Sequence, residues 1–285
     1  MRQGFREDIS SVVPHQMNKT VKKVIRATGL RRQHVAAARM YCERHSLAVP
    51  IGPASTGARS TGRILCYHSI GQPITGVNDV KPEQFRRHIE LAVHLGFRFV
   101  PAAQIARTGG DPMELAITFD DGWASVLTQA APILGHYGIP WSLFVVASWS
   151  DHQSSWSKDR ILPWRDIDRL LAAGVEIGSH SNTHPDFGSI GRAQMIDELC
   201  GSRDAIKQRL GFPPGTFAIP YGQSMNWPRT ASEIAREAGY DIIYAQAEDT
   251  RPSGTIPRTF VTRFDGDRIF NALLRGAYDR WEEWV

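Results

Sequence analysis

The segment LAITFDDGW, residues 115–123, opens with apolar and β-branched residues and stops at two adjacent carboxylates, Asp120 and Asp121, followed by Gly122. A short apolar run closed by a turn signal reads as a buried strand. Side chains on a strand alternate between its faces, so neighbouring aspartates are expected to point apart. Asp-Gly by itself marks a turn. Two acids at the end of a buried strand also make a candidate site.

Outward from this strand, strands and helices alternate. RILCYHS (63–69) reads as a strand ending in His68, and residues 81–96 as a helix with Phe85, Ile89, Ala92 and Val93 on one face and Gly96 as its stop. Further strands are read at 97–100, 140–148, 175–181, 216–222, 241–247 and 256–264. Helices are read at 123–138, carrying Pro132, and at 162–174, 191–211, 229–240 and 266–284. Repeated β-then-α units imply parallel strands joined by crossover helices. About seven or eight strands over roughly 220 residues suit an α/β fold, a distorted, TIM-like (β/α) barrel, with an open doubly wound sheet as the competitor. Neither GxGxxG nor GxxxxGK[ST] occurs, so no phosphate-binding fingerprint supports a nucleotide fold.

The first 61 residues differ in character. KTVKKVIRATGLRRQHVAAARMYCERH (19–45) interleaves apolar residues with Lys and Arg and reads as one or two basic amphipathic helices broken near Gly29. PIGPASTGARSTG (50–62) has linker composition. The expected organisation is a basic helical extension and linker over 1–61, then the barrel over 62–285. The extension is expected to pack as a helical addition, with peripheral membrane contact through 19–45 as the second reading.

Composition narrows the function classes. Of 285 residues, 42% are hydrophobic and 22% charged, as in a globular enzyme. The net charge of +4 sits mainly in the first 60 residues, so nucleic acid is not an expected partner. Three widely spaced cysteines, Cys42, Cys66 and Cys200, without a CxxC, argue against a disulfide framework or a cysteine zinc site and favour a reducing compartment. With neither a secretory signal nor a transmembrane run legible, the expected location is the cytoplasm, with association at a membrane surface as the second reading.

In a (β/α) barrel the strand C-termini open on one face, where chemistry gathers. Here those ends carry Tyr67 and His68, Asp120 and Asp121, His180 with His184, and Tyr221. His180 and His184 lie in GSHSNTHPDF, where Pro185 favours a tight loop over a helix. Two imidazoles and one carboxylate form a three-ligand set that leaves a position open, the pattern of a catalytic metal site. Zinc leads, and cobalt or another divalent transition metal also suits these donors.

TFDDG (118–122), HSNTH (180–184) and FAIPYG (217–222), in this order, resemble the polysaccharide deacetylase family, the NodB-homology or carbohydrate esterase family 4 enzymes. The resemblance covers about residues 62–265 and is nearest the poly-N-acetylglucosamine deacetylase branch. It implies a divalent metal, usually zinc, and hydrolysis of N-acetyl groups on an acetylated glycan. It also implies that Asp121, His180 and His184 hold the metal and that Asp120 is the general base. The main-chain amide near Tyr221 would then stabilise the oxyanion. Two positions depart from the family pattern. Ala218 stands where many members have an arginine that orients the base, and Arg258 is the candidate substitute. The usual late histidine acid is missing, since His184 is the last histidine, and His68 is the candidate replacement. Trp149, Trp156 and Trp227 are expected in loops, where their rings could meet a sugar face. His152 is expected in the loop 150–159.

Overall fold

The computed structural model describes residues 32–48, 60–152, 155–246, 254–279 and 281. The chain forms two compact units, Met1–Glu43 with Glu283–Val285, and Arg44–Glu282. A helix spans Arg32–Leu47, with Arg39 and Glu43 paired across one turn at 2.5 Å. The basic stretch before residue 32 and most of the expected linker lie outside the described residues.

The second unit carries β1 (Arg63–Tyr67), β2 (Ser69–Ile70), β3 (Asp79–Val80), β4 (Arg98–Phe99), β5 (Glu114–Phe119), β6 (Trp141–Val145), β7 (Glu176–Ser179), β8 (Thr216–Ala218), β9 (Ile242–Tyr244) and β10 (Thr259–Phe260). The main sheet is parallel throughout, in the order β10-β1-β5-β6-β7-β8-β9, with β4 paired to the first residues of β5. Ile256 forms a parallel bridge with Tyr244, and β10 pairs with β1, so residues 256–260 carry the hydrogen bonding from β9 across to β1. The architecture is the expected distorted (β/α) barrel, not an open doubly wound sheet. Among the described residues, no helix is long and apolar enough to cross a membrane.

The strand sequences explain the layering. All residues of β1, β5 and β6 are buried, as expected of parallel strands covered on both faces. Residue parity sorts them into two cores. Ile64, Ala116, Phe144, Ala218, Ile242 and Tyr244 pack together on the inner face. The odd-numbered Leu65, Ile117, Phe119, Leu143 and Ile177 pack outward with the helices, against residues such as Phe85 and Leu170. The inner face is thus fixed before any polar residue is considered, and Cys66, Asp120 and His180 continue its even parity beyond the apolar layer.

The helices fall close to their expected places, with a few differences. Residues 124–136 form one continuous helix, with a π turn at Val126–Ala130 just before Pro132, whose ring nitrogen has no hydrogen to give the ladder. The helix Ala102–Thr108 is legible only in hindsight. Ala102 and Ile105 form its buried face and Gly109 ends it in a left-handed cap. The last strand and the terminal helix, Asp267–Leu274, are shorter than read.

Gly178 faces the inner core, where an added Cβ would stand 2.5 Å from the Phe144 ring and 2.6 Å from Thr216 Oγ1. Gly178→Ala is expected to lower the free energy of urea unfolding by about 1–3 kcal/mol, with part recovered in Gly178→Ala/Phe144→Leu. His88 is fully buried. Its Nδ1 accepts from the Tyr67 hydroxyl at 3.0 Å, its Nε2–H donates to the Asp265 carbonyl at 2.5 Å, and its ring stacks on Phe270. Burial holds its pKa at about 4. The unfolded ring takes up a proton near pH 6.5, so folded stability is lost as pH falls from about 6.5 towards 4, by up to about 3 kcal/mol. His88→Gln is expected to shrink the difference in urea midpoint between pH 7 and pH 4.5.

Candidate metal centre

Asp120 extends the pairing of β5 by one residue, its N–H donating to the Tyr67 carbonyl at 3.0 Å. At Asp121 the chain turns left-handed (φ 72°), followed by Gly122 (φ 83°). Adjacent carboxylates therefore meet different surroundings, as the alternation predicts.

Asp120 is buried and gripped by Arg258, whose two terminal nitrogens donate to its two oxygens at 2.7 Å each. Cys66 Sγ–H donates to Oδ2 at 3.4 Å. Arg258 also donates to Thr118 Oγ1 at 3.1 Å and lies over the rings of Phe144 and Tyr244 in the inner core. Burial pushes the Asp120 carboxyl up, but Arg258, then His180, outweigh it and hold the pKa at about 2. Burial pulls the guanidinium down and Asp120 more than restores it.

Asp121 is arranged otherwise. Its Oδ2 accepts from Trp123 Nε1–H at 2.8 Å. Its Oδ1 is buried, has no hydrogen-bond partner among the described residues, and lies 3.4 Å from His180 Nε2 and 3.5 Å from His184 Nε2. His180 Nδ1 is 2.8 Å from the Ala218 carbonyl, which can only accept, so Nδ1 carries the hydrogen and Nε2 offers its lone pair. Burial opposes the charge on Asp121, but the adjacent His180, with His68 and His184 nearby, holds its carboxyl far below the usual range. Burial, then His180, lower His184 to about 4. His180 is raised: burial works against its charge and Asp120 and Asp121 overcome it.

These three donors fit a cation. Zinc bonded at about 2.0–2.2 Å in tetrahedral geometry sets its ligand atoms about 3.3–3.6 Å apart. The observed 3.4 and 3.5 Å fall in that range, and the orphaned Oδ1 is the atom that needs a positive partner. Cys66, His68 and Asp120 form a second cluster, with donor atoms within 4.8 Å of one another. There both Asp120 oxygens are already taken by a guanidinium, which disfavours a further cation.

The loop 180–184 is built around Glu198, buried on the helix Arg192–Leu210. Its carboxylate accepts from the N–H groups of Asn182 and Thr183 at 2.9 and 2.8 Å. Ser181 Oγ accepts from the His184 N–H at 2.8 Å. Sequence reasoning missed Glu198; the available signal was a carboxylate on the apolar face of a helix, beside Leu199 and three residues after Met195.

His68 also reaches the site. Its Nδ1 is buried without a partner among the described residues, its ring meets Phe260 edge-on at 5.4 Å, and burial lowers its pKa. Tyr221 is 45% exposed, with a left-handed backbone (φ 64°) and its ring edge-on to His184 at 4.8 Å. Trp149 stacks on His184 and Trp156 is 39% exposed. Trp227 is not a loop contact: it is buried between Phe187 and Phe217, because the chain turns its ring into the outer core. His152 Nε2–H donates to the Ile161 carbonyl at 2.8 Å and ties its own loop.

Residues 108–243 match the family model described as polysaccharide deacetylase. Those residues form a domain of the polysaccharide deacetylase family. It is 29% identical over 122 residues to the chitooligosaccharide deacetylase of Sinorhizobium fredii, covering 41% of this chain and 51% of that protein. It is 25% identical over 181 residues to the chitooligosaccharide deacetylase of a Bradyrhizobium species, covering 62% and 73%. The chain thus spans about half the length of the first of these relatives. The solved structure of the Streptococcus pyogenes deacetylase PplD in complex with acetate superposes with a TM-score of 0.63 at 19% identity, over 75% of this chain and 96% of that one, and shares the fold. Asp120, Asp121, His180 and His184 all fall within the family-matched residues, whereas His68 and Arg258 reach the site from outside them.

Removing Arg258 would leave a buried carboxylate unpaired. Arg258→Met is expected to cost about 3–5 kcal/mol in chemical denaturation at pH 7, and Asp120→Asn/Arg258→Met to recover most of it.

Proposed function

We propose that this deacetylase-family member is a divalent-metal-dependent hydrolase that removes N-acetyl groups from an N-acetylated sugar, releasing acetate and the free amine. One observation carries the reading: Asp121 Oδ1, buried and unpartnered, stands between two imidazole nitrogens beside a second carboxylate that is already neutralised. The relatives' names, chitooligosaccharide deacetylase in both cases, supply the substrate class.

Asp121, His180 and His184 would hold the cation, with zinc the best match to two nitrogens and one oxygen. A bound divalent ion supplies Lewis-acid chemistry there, polarising an acyl oxygen and acidifying water. Asp120 is the general base. Arg258 keeps it ionised and oriented, so it accepts a proton from water without first losing one of its own. Arg258 thereby fills the function of the arginine missing at Ala218. His68, whose ring nitrogen lies in one cluster with Asp120, is the general acid that hands a proton to the departing nitrogen, because an amide anion leaves poorly. The main-chain amide of Tyr221 is the oxyanion donor, and its left-handed backbone gives that N–H a direction an extended residue would not have.

Acetate and free amine are to be measured with acetylated chito-oligosaccharides, with acetyl xylan alongside. Chelated protein is expected to lose turnover and regain it with Zn²⁺ or Co²⁺. Asp120→Asn, which leaves the buried Arg258 unpaired and so is assayed below its own lowered melting temperature, is expected to reduce kcat by about 10²–10⁴-fold, and His68→Ala by at least about 10²-fold. Full turnover in the chelated protein, or release from acetyl xylan alone, would refute the reading.

A further inference from the structure

Asp121 has two carboxylate oxygens, and they are not equivalent. Oδ2 is taken by the Trp123 indole N–H at 2.8 Å, and only Oδ1 is left between the two imidazoles. Trp123 is 8% exposed, and its backbone bridges Ile161 in antiparallel fashion. Its ring meets those of Trp149 and Trp156 at 6.5 and 5.9 Å, and Trp149 in turn stacks on His184. Two of the three candidate ligands therefore rest on one aromatic cluster, Asp121 through a hydrogen bond and His184 through a ring face.

We propose that Trp123 is a positioning residue for the cation site: its indole N–H fixes Asp121 as a ligand through one oxygen only. The inference rests on the metal reading given above. A carboxylate with both oxygens free can rotate or chelate through both. One with an oxygen held by a rigid, buried donor presents the other at a set distance from its partners. Hydrogen bonds that hold a metal's ligands are worth about 10–100-fold in metal affinity when removed. The glycine turn explains how a residue only two positions on can reach back. Gly122, at φ 83°, reverses the chain, with its N–H donating to the Asp120 carbonyl at 2.9 Å.

The test compares full-length wild type with Trp123→Phe, which keeps an aromatic ring and deletes the donor. Replacement of Trp123 by 3-benzothienylalanine is the shape-conserving second variant, and Trp156→Phe perturbs the same cluster without touching the carboxylate. Zinc affinity is read by competition with a chromophoric chelator, and ligation by the visible absorption of the Co²⁺ form. Both changes at 123 are expected to weaken zinc by about 10–100-fold and alter the Co²⁺ bands, while KM at saturating metal stays put. Trp156→Phe is expected to bind zinc as wild type does. Wild-type affinity and bands in either 123 variant overturn the inference, as does an equal loss in Trp156→Phe, which would make the effect one of packing. Wild type that takes up no zinc overturns the metal reading itself, and this inference with it.

Discussion

Two carboxylates from consecutive residues lie buried at the end of one strand, and each needs its own positive partner. Buried ions are tolerated only when paired, and breaking such a pair costs several kcal/mol. Asp120 has its partner in Arg258, bound through both oxygens. Asp121 has an indole on one oxygen and two imidazole nitrogens near the other, but no fixed positive charge bonded to it. In the proposed reaction that asymmetry divides the work: the neutralised acid serves proton transfer, and the incompletely neutralised one holds the cation.

The barrel supplies Arg258 by an indirect route. Residues 256–260 join β9 to β1, and from this segment Ile256 and Arg258 reach the inner core. Two buried arginines hold this segment. Arg44 donates to the Phe260 carbonyl at 3.0 Å and pairs with Asp265, and Arg63 donates to Thr259 Oγ1 at 2.7 Å. The same segment brings Phe260 against His68. Backbone strain gathers at the site as well. Asp121, Ser181, His184 and Tyr221 all have positive φ, against only His152 and Asp159 among the other described non-glycine residues. Such conformations cost about 1–3 kcal/mol each and persist where surrounding contacts dictate them, as Glu198 and Ser181 do for the histidine loop.

Much of this was legible in the chain. An apolar run ending in Asp120-Asp121-Gly122 is self-contained, since strand, acids and turn all lie within nine residues. His180 and His184 follow a strand in the same way, so parity and strand ends brought them to one face. What was hardest to read has its partner far away in sequence. Arg258 is 138 residues from Asp120, so before folding it stood only as a candidate drawn from the family resemblance, with no local pattern to set it apart from a surface charge. Glu198 satisfies amides 15 and 16 residues upstream, which no local pattern announces. Trp227 misled because Asn226 and Pro228 flank it with turn residues while its ring still packs inward.

The central claim, one cation held by two imidazoles and a single carboxylate oxygen, is tested most directly by zinc K-edge X-ray absorption on protein loaded with one equivalent of zinc. The account predicts a first shell of nitrogen and oxygen at about 2.0–2.2 Å without sulfur. A sulfur scatterer at about 2.3 Å would put the ion on Cys66 and His68 instead and contradict the account.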